Sequence, residues 1–477
     1  MTKTIVEGGR NALRKSLSLL YVYALATGAI FTFMCYWDGI FLSYCGPATF
    51  FAYILMTLMC LPIAYVYAEL STMLPSAGSS LVFNTIGLNK HAGFWSSWLI
   101  MCAWIAVPAA GTLGIIDWIN FQFNFGWSDS VMLIIGIVSL FAWFGLSLSK
   151  NVIAGKIQTY MLFFAIGGIV LTSLLLFFSG HWTLANFTSG AGLGGFFSTA
   201  LGGAGLPKPQ WIGWLIGAAF LITPYFGFET VPALVEEGTF PIHDQKKAIL
   251  GSVVTCGVIY AIFYFAVAGV MPWAQLTNNG DCSPFVSIKA FLAIFPGWTV
   301  YALLLGVVGV LLPIATSVLG FWYSGVRMIY AMGRQNFLPE VFSYTNKHDQ
   351  PILPNVLILV ISILFIMMQS IRSFFDLMAF ACALCYAIST ISSMILAKKH
   401  PEWKRPFVLP WGNVMRWISL SVAVVIAFFC TIGITPITWA GFFGYIGVGL
   451  LLWGYMVIFK WRKDKVWMKT PDGDKEY

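Results

Sequence analysis

Residues 27–41 read TGAIFTFMCYWDGIF and place one carboxylate, Asp38, in an otherwise apolar run. Gly28 precedes this carboxylate, and Gly46 and Pro47 follow it. A charge near the bilayer midplane costs at least about 2.5 kcal/mol on insertion scales, and irregular backbone at that depth is tolerated only where it lines a cavity. The stretch therefore predicts a broken membrane helix that contributes to a site.

The composition of the whole chain indicates an integral membrane protein. Of its 477 residues, 59% are hydrophobic and 9% are charged, whereas about 25% charged is usual for soluble proteins. A spanning helix needs about 20 apolar residues. Twelve segments meet this requirement, so that we expect an all-α protein with 12 transmembrane helices. They are residues 17–46, 49–73, 93–119, 129–148, 157–180, 210–235, 247–273, 298–332, 352–371, 374–397, 412–434 and 437–460.

The distribution of basic residues predicts the orientation of these segments. With both termini in the cytoplasm, 23 of the 26 Lys and Arg residues lie on the cytoplasmic side, and Lys208, Lys289 and Arg372 lie outside. The formal net charge of +8 is thus a topology signal and does not indicate a nucleic-acid partner. The first apolar run is too long for a signal peptide. We therefore expect a multi-pass protein of the cell membrane.

A second interrupted segment carries the other carboxylate predicted at membrane depth. Residues 220–237 read FLITPYFGFETVPALVEE, in which Pro224, Gly227 and Pro232 surround Glu229. Broken first and sixth helices, one in each half of the chain, are typical of transporters built from two inverted repeats with a site between them. The alternative is that these Gly and Pro residues serve helix packing alone.

Other classes of function find less support in the sequence. The nine cysteines lie mostly in apolar runs, and Cys382 and Cys385 have C-x-x-C spacing without flanking ligands, so that neither a disulfide framework nor a metal or cofactor site is expected. No histidine pairs with a candidate nucleophile, which argues against an enzyme. No repeated filter or ring of like charge indicates a channel.

Four motifs resemble the amino acid/polyamine/organocation permease superfamily. They are YAELSTMLPSAGSSLVFNTIGLNKHAGFWSSW at 67–98, FGFETVPALVEEGTFPIHDQKKAI at 226–249, SGVRMIYAMGRQNFLPEVF at 324–342 and KHPEWKRPFVLPWG at 399–412. The resemblance implies a five-plus-five inverted repeat of ten helices, two additional helices, and alternating access about a midplane site. The expected parts are a cytoplasmic segment at 1–16, a transport core at 17–397, a cytoplasmic loop at 398–411, helices 11 and 12 at 412–460 and a cytoplasmic basic tail at 461–477.

The resemblance also implies roles for individual residues. Substrate would be bound by the two broken helices through Gly28, Ala29, Thr32, Phe33, Met34, Asp38, Thr223, Tyr225, Phe226 and Gly227. Proton coupling or gating would fall to Glu229 and Asp38. The cytoplasmic gate or anchor would be formed by Glu69, Arg327, Tyr330 and Arg334.

The first helix departs from the superfamily pattern. A glycine turn that binds the substrate carboxylate is replaced by bulky residues around Phe33, so that Asp38 either pairs with a substrate amine or turns away to pair with a neighbouring helix. Some members carry a helix-five lysine in place of a sodium ion, and the matching position here is Ala165. The sequence thus favours an exchanger of amino acids or amines, with a proton-coupled symporter as the alternative.

Overall fold

The computed structural model describes residues 15–32, 34–36, 38–45, 49–149, 151–187, 223–276, 284–367, 371–433, 436–462 and 465–477. Within these ranges, nine helical stretches are long and apolar enough to span a membrane. They are Thr49–Met73, Lys90–Phe123, Asp129–Ser147, Gly155–Phe177, Ile242–Ala268, Thr299–Arg334, Leu377–Lys399, Asn413–Thr431 and Thr438–Lys460.

Three of the twelve predicted segments are not among these nine stretches. The first is divided into two short helices, Leu19–Ile30 and Asp38–Cys45. Part of the sixth, residues 210–222, lies outside the described residues. The ninth forms a helix of 15 residues, Ile352–Ile366, which is shorter than an average spanning helix.

The helices are numbered in chain order. Their bounds are α1 Leu19–Ile30, α2 Asp38–Cys45, α3 Thr49–Met73, α4 Ser80–Gly87, α5 Lys90–Phe123, α6 Asp129–Ser147, α7 Asn151–Phe177, α8 Leu184–Phe187, α9 Thr230–Ala233, α10 Gln245–Ala268, α11 Trp273–Leu276, α12 Val286–Ile294, α13 Thr299–Gly306, α14 Leu312–Arg334, α15 Ile352–Ile366, α16 Ile371–Lys399, α17 Asn413–Gly433 and α18 Pro436–Tyr455. A π-helical turn, Val307–Leu311, joins α13 to α14.

Polar side chains fix where the central helices begin. The Ser18 side chain accepts a hydrogen bond from the Tyr21 amide at 3.3 Å and caps α1. Asn89 accepts one from the Ala92 amide at 2.9 Å and caps α5. Such caps satisfy amides that the first helical turn leaves unpaired.

Helix α1 lies at the centre of the bundle and packs against α7, α10 and α14. Small residues allow this close approach, because a Cβ atom on Gly320 of α14 would lie 3.0 Å from the Ala29 side chain of α1. By contrast, α6, α17 and α18 expose large apolar side chains, as is expected of surfaces that face lipid.

The C-terminal tail contains the only strands in the described residues, and the sequence did not predict them. Strand β1 (Trp467–Thr470) pairs antiparallel with β2 (Gly473–Glu476). A local signal for this hairpin exists in the Pro-Asp-Gly stretch at 471–473, where Gly473 has φ +112°. Met468 and Thr470 of β1 are buried, so that one face of the hairpin docks on the rest of the chain.

Candidate functional site

The two predicted breaks meet in the centre of the bundle. Gly227 has φ +139°, and a Cβ atom at this position would lie 2.8 Å from both the Ala29 side chain and the Ile30 amide nitrogen. A glycine is needed both for this backbone conformation and for this close approach. The turn of the sixth segment therefore lies directly on the end of α1.

Tyrosines of α10 satisfy much of the backbone of the first break. The Tyr260 hydroxyl donates to the Ile30 carbonyl at 2.7 Å and accepts from the Thr32 amide at 3.1 Å. The Tyr264 hydroxyl donates to the Met34 carbonyl at 2.8 Å. In this conformation the Thr32 amide is thus occupied by a side chain of the protein rather than open to a carboxylate.

The same tyrosines form an aromatic cluster with α3. The Tyr53 ring stacks on Tyr260 and Tyr264, with centroid distances of 4.7 and 4.9 Å. The Tyr225 hydroxyl donates to the Tyr53 carbonyl at 2.8 Å, and the Phe226 ring lies 5.7 Å from Tyr386. Tyr225 and Phe226 of the sixth segment therefore point toward α3 and α16, respectively.

Glu229 is fully buried beside these aromatic rings. Its Oε2 accepts a hydrogen bond from the Gly227 amide at 2.8 Å, and its Oε1 accepts one from the Trp104 indole of α5 at 3.2 Å. Among the described residues, no Lys, Arg or His forms an ion pair with it. Trp104 was missed by the sequence analysis, because an apolar helix rich in tryptophan gives no signal for the one that faces a carboxylate.

Three buried threonine hydroxyls near the breaks remain available. Thr27 and Thr32 belong to the first segment, and Thr223 belongs to the sixth. Within the described part of the chain, their Oγ1 atoms have no hydrogen-bond partner. Buried hydroxyls usually find a partner, so that these three are suited to contact a bound molecule.

Asp38 is buried and forms hydrogen bonds away from the Gly227 contact. Its two carboxylate oxygens accept from the amides of Gly39 at 2.8 Å, Val286 at 3.0 Å and Ser287 at 2.7 Å. The Ser287 hydroxyl also donates to it. The carboxylate thus caps α12. Of the two arrangements that the sequence left open, this is the one in which Asp38 turns away from the substrate and pairs with a neighbouring helix.

Gly28 and Ala29 contact the scaffold helices through their carbonyl groups. Thr316 donates to the Gly28 carbonyl at 3.2 Å, and Ser317 donates to the Ala29 carbonyl at 3.2 Å. Gln158 of α7 donates to the Thr316 carbonyl at 2.7 Å. The polar residue of α7 that lies beside Gly28 is therefore Gln158, which is on the same face of the helix as the buried Ala165 and two turns before it.

Two ion pairs join the exit of the sixth segment to α14. Arg327 is buried and donates to Glu237 at 2.6 and 3.2 Å, while the Glu237 carbonyl accepts from the Leu17 amide at 2.9 Å. Arg334 donates to Glu236 at 2.8 and 3.2 Å, and its guanidinium lies over the Tyr330 ring. The start of α1, the sixth segment and α14 are thereby joined at one end of the bundle.

Glu69 joins α3 to α17. Its carboxylate accepts from the Arg416 guanidinium at 2.6 Å and from the Ser393 hydroxyl at 3.2 Å, and Arg405 lies 3.7 Å away. Glu69 and Arg416 are almost fully buried. Arg405 belongs to the motif at 399–412, so that two of the sequence motifs meet in one ion network.

Phe33 was predicted to contact substrate and lies outside the described residues. One group of potential metal ligands, His400, Glu402 and Asp472, lies in the described part near the tail. There Lys475 binds Asp472 at 3.0 Å and compensates its charge.

Comparisons with known proteins agree with the motifs. The family model described as amino acid permease matches residues 17–453. The methylthioribose transporter of Bacillus subtilis is 25% identical over 86% of this chain and 85% of its own length. The branched-chain amino acid permease of the same organism is 22% identical over 93% of both chains. A D-serine/D-alanine/glycine transporter of Escherichia coli is 22% identical over 88% of this chain and 89% of its own length.

Proposed function

The chain belongs to the amino acid permease family, and from that premise we propose that it is a secondary active transporter that moves an amino acid or a related amine across the cell membrane by alternating access. The observation that carries the proposal is the contact between Gly227 and the Ala29–Ile30 backbone. Two interrupted segments that meet at membrane depth supply polar groups where a continuous helix would supply none.

The substrate would bind beside this contact. The hydroxyls of Thr27, Thr32 and Thr223 would serve its polar groups, since they are buried and have no partner in the described residues. Glu229 would serve its amine, because a buried carboxylate needs a positive partner or a proton. Gly28, Ala29, Met34 and Phe226 would shape the cavity.

Exchange is the mode that we favour. Gln158, a neutral amide, lies between Gly28 and Thr316, and Ala165 is buried, so that α7 places no lysine against α1 in the described residues. Proton-coupled symport is the second candidate. The observation that supports it is the burial of Glu229 without an ion-pair partner among the described residues. In that case the carboxylate would take up a proton when substrate leaves.

The cytoplasmic gate would consist of the pairs Glu237–Arg327 and Glu236–Arg334, with Glu69 as an anchor for α3. We also propose an inverted five-plus-five repeat and cytoplasmic termini, on the basis of the paired breaks and of the uneven distribution of basic residues.

The test is uptake by purified protein in proteoliposomes over a panel of amino acids and amines. An exchanger should take up labelled substrate only when unlabelled substrate is inside, whereas a symporter should do so with empty vesicles and an inward proton gradient. Uptake of no amino acid or amine under either condition would contradict the proposal.

Glu229→Gln tests the site within the same assay. Removing the charge should reduce amine binding at least about tenfold, the lower range for a charged hydrogen bond, and should flatten the pH profile of uptake. Glu340→Gln, at an exposed carboxylate, is the matched control. If both variants transport like the parent protein, Glu229 has only a structural role.

A further inference from the structure

Asp38 and the residues around it form a contact that the proposed substrate site does not use. Four hydrogen-bond donors converge on the buried carboxylate, and three of them come from Val286 and Ser287 of α12. A carboxylate with this many partners is stable without a cation. Its partners lie in a different part of the chain, so that Asp38 joins α2 to α12 across the fold.

The residue before α12 shows that this contact is specifically arranged. Phe285 has φ +63°, a conformation that is rare for an aromatic residue and that turns the next two amides toward Asp38. The Phe285 ring stacks on Phe121, with a centroid distance of 4.6 Å, and makes an edge-to-face contact with Tyr36 at 5.4 Å. The backbone of Phe285 is therefore fixed by packing in the position that the Asp38 contact needs.

A second bond connects the same region to α5. The Tyr36 hydroxyl donates to Asp117 of α5 at 2.8 Å. Tyr36, near the end of the first break, and Asp38, the first residue of α2, thus connect this part of the chain to two separate elements, α5 and α12. The start of α1 lies instead beside Glu237, whose pair with Arg327 joins the opposite end of the first segment.

We propose that Asp38 is a gate-positioning residue that holds α12 over the outer half of the first segment and closes the outer side of the site in this conformation. The inference rests on the proposed alternating access. When the outer side opens, α2 and α12 separate, and the bonds from Val286 and Ser287 to Asp38 break. Asp38 then controls which side of the site is open rather than binding the substrate amine.

Cys35 provides a native reporter for this opening. It is buried, and its amide donates to the Gly309 carbonyl at 3.1 Å within the π-helical turn. The experiment measures the rate at which a membrane-impermeant methanethiosulfonate reagent labels the full-length protein in sealed vesicles of both orientations. Subtracting the rate of a matched Cys35→Ser version of each variant assigns the signal to Cys35.

Loss of the contact should raise labelling from the outer side. Ser287→Ala removes one bond to a charged acceptor, and labelling of Cys35 should increase about tenfold; Asp38→Asn should increase it at least as much. Ser252→Ala is the control, because among the described residues this buried hydroxyl donates only to a carbonyl of its own helix, at 2.8 Å. Its labelling should equal that of the parent protein.

The result decides between gate and ligand. Unchanged Cys35 labelling in folded Asp38→Asn and Ser287→Ala proteins would overturn the proposal. Weaker amine binding by Asp38→Asn with unchanged labelling would also overturn it, because Asp38 would then be a substrate ligand. A rise in labelling in a protein that transports no amino acid or amine would support the gate while the proposed function failed.

Discussion

Gly227 shows at the scale of one residue how two broken segments can touch. We expect Gly227→Ala to reduce transport at least about tenfold, because strained backbone of this kind costs about 1–3 kcal/mol and the new methyl group would overlap Ala29 and Ile30. Initial uptake rates and the melting temperature in detergent measure the effect. Gly444→Ala should change neither, since nothing lies within 4 Å of the added atom. Equal behaviour of the two variants would contradict the close contact.

The threonine hydroxyls give a second prediction at this scale. Thr32→Ala and Thr223→Ala should each weaken substrate binding about two- to tenfold, as a neutral hydrogen bond contributes about 0.5–1.5 kcal/mol. Thr159→Ala is the matched control, because its hydroxyl donates to the Gly155 carbonyl of its own helix at 2.7 Å. Binding titrations on purified protein check this, and a loss as large in the control would remove the two hydroxyls from the site.

Sequence reasoning reached the unusual residues but not their partners. Asp38 stands out because a charge is rare inside an apolar segment, and Gly227 stands out because it lies between Pro224 and Pro232 beside a second carboxylate. Ser287, which bonds Asp38, lies 249 residues away, and a serine in the first turn of a short apolar helix gives no signal for a distant partner. Tyr260 and Tyr264 were not identified either, since aromatic residues make up 17% of the chain and most of them serve packing.

Helix α17 illustrates the scale of one element. It contributes Arg416, whose guanidinium meets Glu69 of α3 at 2.6 Å with both side chains almost fully buried. We expect Glu69→Gln to destabilise the protein by about 3–5 kcal/mol, because it leaves a buried cation without its counter-charge. Thermal or denaturant unfolding in detergent measures the loss.

The double variant provides the internal check. Glu69→Gln combined with Arg416→Gln should cost less than the sum of the single variants, because the most deeply buried cation of the network is removed together with its counter-charge. Glu476→Gln is the control for an exposed ion pair, which should be worth less than about 1 kcal/mol. Additive losses at Glu69 and Arg416 would show that the pair is not energetically coupled.

Elements were predictable where the backbone itself is unusual. The interruption of the first segment was expected from its glycines, its proline and its charge, and the structure ends α1 at Ile30 and begins α2 at Asp38. Helix α12 was not expected, because nine residues are too few for a span and its start depends on a distant carboxylate. The tail hairpin was not predicted for a similar reason, since two strands alone are marginally stable and need a surface to dock on.

The C-terminal tail belongs to the scale of the whole molecule, because it connects loops that are far apart in the chain. The Trp403 indole donates to Asp472 at 2.7 Å, and the Trp461 indole donates to the Asn336 carbonyl at 2.9 Å. We expect Trp403→Ala to accelerate amide hydrogen exchange in residues 465–477. Trp467→Ala should not, since Trp403 is 3% exposed and Trp467 is 49% exposed. The same exchange rates in both variants would mean that the hairpin does not depend on this contact.

Low pH should weaken the contacts that dock the C-terminal hairpin. The Lys475 ammonium, with the Trp403 indole, holds the pKa of Asp472 below its usual range. A lowered pKa in the folded state means that the stabilisation is complete above the usual pKa of about 3.9 and is lost as the pH falls below it. Exchange in the tail should therefore stay constant from neutral pH to about pH 4, after correction for intrinsic rates, and rise below that value.

The long separation between Glu69 and Arg416 also bears on how the protein is made. The two residues are 347 positions apart. At about 5–20 residues per second, a ribosome needs roughly 17–70 s to travel that distance. For this time the nascent second span carries a carboxylate whose later partner does not exist, so that the insertion machinery has to keep it near the lipid headgroups or in its neutral form. The Glu69 carboxylate thus gains its Arg416 counter-charge only when α17 has been made, and a ribosome stalled before residue 416 would present an intermediate open to quality-control proteases.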